Sequence, residues 1–316
     1  MSATNTDQSK ARFALALLWR SLVVAVGYVV ALMIGGMISQ ALRLPMPPMA
    51  ADVDLSQILV LEFVSGLLLG LTMGPLSERL RIPGWQRAIL LFALLFVLNS
   101  FINAVEALFF TTAPFAELLV GLVTPFVGHV ALALLLTALF RPASVDRGLV
   151  SALRDALGRR RRTSWVWRFL LAGVLYLPIW FFFGLIISPI VLPYYQEVGL
   201  GLTVPGLDVI LPLEIFRGLL YAGTLFLLIA VLGGSRRSTA FWVVLTLCVL
   251  SSWTPMLMVA WWPIPLRVTH GLEITADSIV HGLIVTLLLW TPTQDKSVKP
   301  PSIHGLERTL ARSPGD

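Results

Sequence analysis

Four residues able to do chemistry, His270, Glu273, Asp277 and His281, follow one another at i, i+3, i+7 and i+11. On an α-helix, turning about 100° per residue, that spacing gathers two imidazoles and two carboxylates into a stripe about 80° wide. Asn99, Asn103 and Glu106, at i, i+4 and i+7, share a face in the same way. Such groups suit three kinds of chemistry. They relay protons near neutral pH, they hold a divalent cation that activates water, or they neutralise a cationic small molecule. The candidate metal ligands are His281, Asp277 and Glu273. No other cofactor is predicted.

The elements that carry these groups are apolar. The chain of 316 residues is 57% hydrophobic and 13% charged, against about 25% charged in soluble domains. Apolar runs long enough to cross about 30 Å of hydrocarbon recur near 13–40, 55–74, 85–108, 115–140, 166–190, 208–232, 239–261 and 268–291. The first lacks a signal-peptide cleavage site and reads as a retained helix. Runs such as AILLFALLFVL do not alternate, which excludes a β-barrel. The expected fold class is all-α: a polytopic integral membrane protein of eight transmembrane helices. The only cysteine, Cys248, excludes an intrachain disulfide.

Twenty of the 23 basic residues fall on one side of an eight-span topology. The positive-inside rule makes that side cytoplasmic, with both termini there. The excess of Arg over Lys suggests a bacterial origin, so the expected location is a bacterial inner membrane. The run GRRRRT at 158–163 reads as an orientation signal beside anionic lipid headgroups rather than a nucleic-acid site. The expected partner is therefore the lipid bilayer, with no nucleic acid.

The chain also matches itself. At an offset of 148, Trp19-Arg20 falls on Trp167-Arg168, Tyr28 on Tyr176, Gly36 on Gly184 and Leu44-Pro45 on Leu192-Pro193. At 152, LSQILVLEFVSGLL (55–68) falls on LDVILPLEIFRGLL (207–220), and His129 on His281. Two parallel four-helix repeats are expected, related by an axis along the membrane normal. The predicted organisation is a flexible cytoplasmic segment 1–12, a first repeat 13–140, an Arg-rich linker 141–165, a second repeat 166–291 and a flexible tail 292–316.

In that topology ten of the seventeen acids lie in the outer half, with three basic residues. Charges facing lipid are costly, so the stripes should face the bundle interior. The expectation is an acidic, His-bearing pocket open to the extracytoplasmic side. Its candidate residues are His270, Glu273, Asp277, Asn99, Asn103, Glu106, Glu62, Glu214 and Arg217, with His129 and His281 as the floor. Local roles compete: Asp54 and Asp208 as helix caps, Glu62 and Glu214 as dipole partners, Arg217 as the i+3 partner of Glu214.

Nucleotide-binding glycine patterns, G-x-S-x-G and H-E-x-x-H are absent. The stretch LEIFRGLLY is similar in outline to the CAAX-protease membrane family, but departs from it. Leu213 stands where the first of that family's paired glutamates belongs, and Arg217 is one residue early. The residues thus favour a transport or substrate-binding protein taking a proton, a small cation or a cationic small molecule. A membrane-embedded metal-dependent hydrolase and a non-catalytic scaffold or accessory subunit are the alternatives.

Overall fold

The computed structural model describes residues 3–45 and 54–292. Asp52, most of the Pro45–Pro48 loop and the tail from 293 lie outside the described residues. In chain order the helices are α1 (Ala3–Ala41), α2 (Leu55–Arg79), α3 (Gly84–Phe110), α4 (Phe115–Leu139), α5 (Leu149–Leu157), α6 (Arg162–Tyr195), α7 (Leu207–Leu232), α8 (Arg236–Met258) and α9 (Ile264–Leu289). All but the short α5 are long and apolar enough to cross a membrane. Their outward faces are apolar and their inward faces carry the polar groups. On α9, Val268, Leu272, Ile279, Leu283 and Leu287 are exposed, while Glu273, Asp277, Ser278 and His281 are buried. Water selects the opposite arrangement.

Caps set the helix ends. Asp54 precedes α2 and accepts from the Ser56 amide at 3.0 Å and the Ser56 hydroxyl at 2.7 Å. Those bonds, the hydroxyl's first, hold its carboxyl below the ordinary range. The cap expected of Asp54 is thus formed, through Ser56. Asp208 does not cap α7, because Gly206 occupies that position. Asp208 sits in the first turn instead, where a carboxylate complements the helix dipole.

The Arg-rich linker is built into the fold. It contains α5, whose Ala152 and Ala156 are buried. Beyond α5, Arg160 donates to the Trp290 carbonyl (2.9 Å), Arg168 to the Leu288 carbonyl (2.9 Å) and Arg159 to the Thr291 carbonyl (3.2 Å). These carbonyls close α9 and have no partner within the helix, so the arginines cap it.

The eight long helices pack in two groups with one plan. In α1–α4, α1 lies between α2 and α4, and α3 packs on α4. In α6–α9, α6 lies between α7 and α9, and α8 packs on α9. Across the middle, α3 meets α7, α8 meets α2, and α3 meets α8. Both third helices contain a π-turn, Phe96–Phe101 in α3 and Cys248–Trp253 in α8. Each inserts one extra residue, marked by Ile102 N–H reaching back to the Val97 carbonyl and Thr254 N–H to the Val249 carbonyl. The two turns clasp each other. Asn99 Nδ2 donates to the Leu250 carbonyl (2.9 Å), and the Ser251 hydroxyl donates to the Leu98 carbonyl (3.4 Å).

Glycines allow the closest approaches. A methyl on Gly66 would stand 2.8 Å from the Ala25 Cα, and one on Gly218 would stand 2.6 Å from the Tyr176 Cβ. At the end of the bundle remote from α5, the α3–α4 and α6–α7 connections are joined by main chain. Thr111 and Leu202 form an antiparallel bridge. Thr112 N–H donates to the Gly201 carbonyl (2.8 Å), and Thr203 N–H to the Phe110 carbonyl (2.9 Å). Gly201 adopts φ +61°, a left-handed conformation that glycine takes without strain.

Candidate functional site

The charged centre starts on α7. Glu214 is fully buried and Arg217 is 3% exposed. One turn apart, they meet through Arg217 Nη1, which reaches both carboxylate oxygens of Glu214 at 2.9 and 2.8 Å. Arg217 Nη2 crosses to α3 and donates to Glu106 Oε2 at 2.6 Å. The guanidinium lies over the Tyr176 ring, 5.7 Å from its centroid. One planar cation thus joins α3, α6 and α7, using the forked donor geometry that lysine lacks.

The second element is the amino-terminal half of α9. His270 Nδ1 and Glu273 Oε2 are 2.5 Å apart, and the His270 ring is stacked on Trp262 at 5.9 Å. A turn further in, Asp277 is 2% exposed, and neither carboxylate oxygen has a hydrogen-bond partner. Asp277 lies within electrostatic reach of Glu273, Arg217, Glu214 and Glu106. Next along the stripe, His281 packs against Tyr176 (4.9 Å) and Tyr221 (5.8 Å), and its Nε2 is 3.0 Å from the Ala172 carbonyl.

Above these groups a half-open cavity of about 500 Å³ lies at the end remote from α5. Its polar wall includes Asn103, Glu106, Glu117, Tyr195 and His270; Trp261, Trp262, Phe110, Met256 and Leu202 supply apolar wall. The main-chain bridge between the two connections forms part of the rim. The cavity therefore lies where the two groups of helices meet.

The predicted residues divide between this cavity and other places. Asn103, Glu106 and His270 line it. Glu273 stands behind His270, and Arg217 with Glu214 stands behind Glu106. Asp277 lies deeper, without a partner. Asn99 does not face the cavity: it donates to Leu250 and to the Thr254 hydroxyl (2.7 Å), and its carbonyl accepts from Asn103 (2.7 Å). Glu62 is half-buried on α2, within electrostatic reach of Tyr28.

The expected shared floor is not formed. His129 is stacked on Tyr28 (6.4 Å, 13°) and meets Phe96 edge-on, and neither ring nitrogen has a hydrogen-bond partner. His281 occupies the Tyr176–Tyr221 pocket, and neither histidine lines the cavity. Equal depth along the membrane normal placed the two together on paper. Each instead packs on a tyrosine of its own helix group, His129 on Tyr28 and His281 on Tyr176. Among the described residues, no three His, Cys, Asp or Glu side chains form a group suited to a metal ion, and His281, Asp277 and Glu273 form none.

Sequence reasoning missed the aromatic partners. Tyr221 follows Arg217 by four residues and Glu214 by seven, so its place on their face was readable from spacing. Trp261 and Trp262 carried no such signal, since their position depends on the turn between α8 and α9. No protein-family model, curated protein or solved structure matches this chain.

Proposed function

We propose that this is a multi-pass membrane protein that binds and transports a cationic small molecule with an apolar body, entering from the extracytoplasmic side. The observation that carries the reading is the half-open cavity of about 500 Å³, with Trp261, Trp262 and Tyr195 beside Glu106 and Glu117. Aromatic faces attract an organic cation through ring quadrupoles, and Glu117 and Glu106, the latter already holding Arg217 through one oxygen, add negative charge. The apolar remainder of the wall suits a ligand with substantial hydrophobic surface. Membrane insertion is favoured by the eight long apolar helices and their outward apolar faces. The basic residues at the α5 end favour a cytoplasmic position for that end and both termini.

We further infer two parallel repeats, α1–α4 and α6–α9. The packing plan supports this, as do the two π-turns at an offset of 152. So do the Tyr28–His129 and Tyr176–His281 contacts, and the glycine approaches of α2 on α1 and of α7 on α6. On this reading the charged site has an emptied counterpart. Arg217 corresponds to Ser65, Glu106 to Met258 and Asp277 to Pro125. Met258 accepts from the Tyr28 hydroxyl at 3.7 Å. One repeat keeps Arg217, Glu106 and Asp277, and the other keeps only Glu62, the counterpart of Glu214, as expected of a single binding site in a doubled scaffold.

Asp277 suits the coupling group. A buried carboxyl without a partner is neutral with a proton and compensated by a cation, so the site changes charge state with its occupant. Two ions of one shape and opposite charge test the reading: tetraphenylphosphonium and tetraphenylborate, titrated against purified protein and followed by tryptophan quenching. The cation should bind and the anion should not. Trp262→Ala and Glu106→Gln should each weaken cation binding about tenfold in protein that still melts cooperatively. Equal affinity for both ions, or variants that bind as the parent does, would sink the proposal.

A further inference from the structure

A second cavity, of about 1320 Å³, lies at the α5 end. It is bounded by the end of α2, by the linker with α5, by the end of α7 and by the start of α8. Five guanidiniums line it, those of Arg79, Arg81, Arg147, Arg154 and Arg159, with three carboxylates, those of Glu78, Asp146 and Asp155. The carboxylates are already engaged. Glu78 pairs with Arg20 (3.1 Å), Asp146 with Arg81 (3.3 Å) and Asp155 with Arg147 (3.7 Å).

Three cations remain without a carboxylate partner among the described residues. Arg79 lies over the Trp242 ring at 5.1 Å. Arg159 donates only to carbonyl and hydroxyl oxygens of Thr291 and Pro292. Arg154 makes no ion pair. Partial burial, and then the Arg147 charge, hold Arg159 below the ordinary guanidinium range, so a neighbouring anion would relieve it. The Ser151 and Ser238 hydroxyls stand on the same wall, and the amino end of α8 adds its positive dipole.

We propose that this cavity binds a phosphate-bearing anion, held by Arg79, Arg154 and Arg159. Forked guanidiniums match phosphate oxygens in pairs, and the surplus positive charge sets the sign of the ligand. The phosphate belongs either to an anionic lipid headgroup or to a soluble phosphate compound; both present the same group to the arginines. The site touches α2 on one side and α7 and α8 on the other, so an occupant would brace the two helix groups against each other. Nothing in this site depends on the cavity at the opposite end.

The test uses the full chain in neutral detergent and reads the thermal unfolding midpoint. One arm adds inorganic pyrophosphate, and the other adds mixed micelles of phosphatidylglycerol, with phosphatidylcholine as the uncharged comparison. A saturable rise in the midpoint is expected in at least one arm. A rise with pyrophosphate alone identifies a soluble ligand, and a rise with phosphatidylglycerol alone identifies a headgroup. Arg79→Gln with Arg154→Gln should weaken the apparent affinity about tenfold or more. Arg161→Gln with Arg162→Gln removes equal charge outside the cavity and should leave the affinity unchanged. Arg159 is left intact because it also caps α9. No rise in either arm, or equal loss in both double variants, overturns the proposal.

Discussion

Arg217 satisfies two carboxylates from two helices, so its removal strands both. Glu214 would remain fully buried without a counter-charge, which costs about 3–5 kcal/mol when one partner of a buried pair is deleted. Arg217→Gln should therefore unfold at markedly lower denaturant than the parent. The double change Arg217→Gln with Glu214→Gln should recover part of the loss, since the fully buried charge is gone and the remaining one, on Glu106, is 26% exposed; chemical denaturation in detergent reads both. The two buried histidines predict a contrast. His129 has no hydrogen bond to lose, so His129→Phe should change stability by less than about 1 kcal/mol. His281→Phe gives up the Ala172 carbonyl contact and should cost about 1–3 kcal/mol. Of the charged site, the Glu214–Arg217 pair was legible because three residues make one helical turn. Glu106 was legible as a member of a polar face. Their meeting was not, since it joins residues 111 positions apart, and local spacing does not encode which helices become neighbours.

At the scale of single elements, glycines and π-turns position everything above. Gly218→Ala would drive a methyl into the Gly173 carbonyl and Tyr176, and Gly66→Ala into the Ala25 backbone. Each should cost about 1–3 kcal/mol through forced separation of the helices. Gly223→Ala, with open space around it, should instead gain up to about 1 kcal/mol from helix propensity. Unfolding midpoints of the three variants check the ordering. Deleting Ser100 removes the extra residue that the α3 π-turn accommodates, so the segment beyond it keeps its phase and Glu106 keeps Arg217. The loss of stability is then confined to the clasp made by Asn99 and Leu98. The helices themselves were legible from hydropathy alone, with ends within five residues except at α1, which begins at Ala3, inside the segment 1–12 expected to be flexible. The π-turns were not, because the Leu250 and Leu98 carbonyls are satisfied by Asn99 and Ser251 from the facing helix, and those contacts exist only after α3 and α8 have packed. The short α5 was also missed, since nine residues that include Ser151, Arg154 and Asp155, set in an Arg-rich connector, resemble a loop until the bundle buries Ala152 and Ala156.

For the whole molecule, the proposed topology makes a direct prediction. In a background with Cys248→Ser, Thr203→Cys should react with an impermeant thiol reagent added outside intact cells, and Ser151→Cys should react only after lysis. The reverse pattern would invert the orientation and place the aromatic cavity on the inner side. On the proposed two-repeat reading, the internal match at 148 and 152 carries most of what is legible at this scale, because it pairs residues such as Tyr28 with Tyr176 and His129 with His281. The asymmetry between the groups was equally written in the sequence, as Ser65 opposite Arg217 and Met258 opposite Glu106, but its meaning needed the contacts.

The ladder between Phe110–Thr112 and Gly201–Thr203 ties the aromatic mouth together chiefly through amide hydrogens, with the Thr112 hydroxyl donating to the same Gly201 carbonyl at 3.3 Å. Side-chain replacement at the other positions therefore leaves the amide bonds of this clasp intact, whereas Gly201, with φ +61°, would be strained by any side chain. Only an imino acid, introduced as Thr112→Pro or Thr203→Pro, deletes a donor outright. The lip of the recess is thus insulated from most point mutation, and its sequence is free to drift while its width is kept.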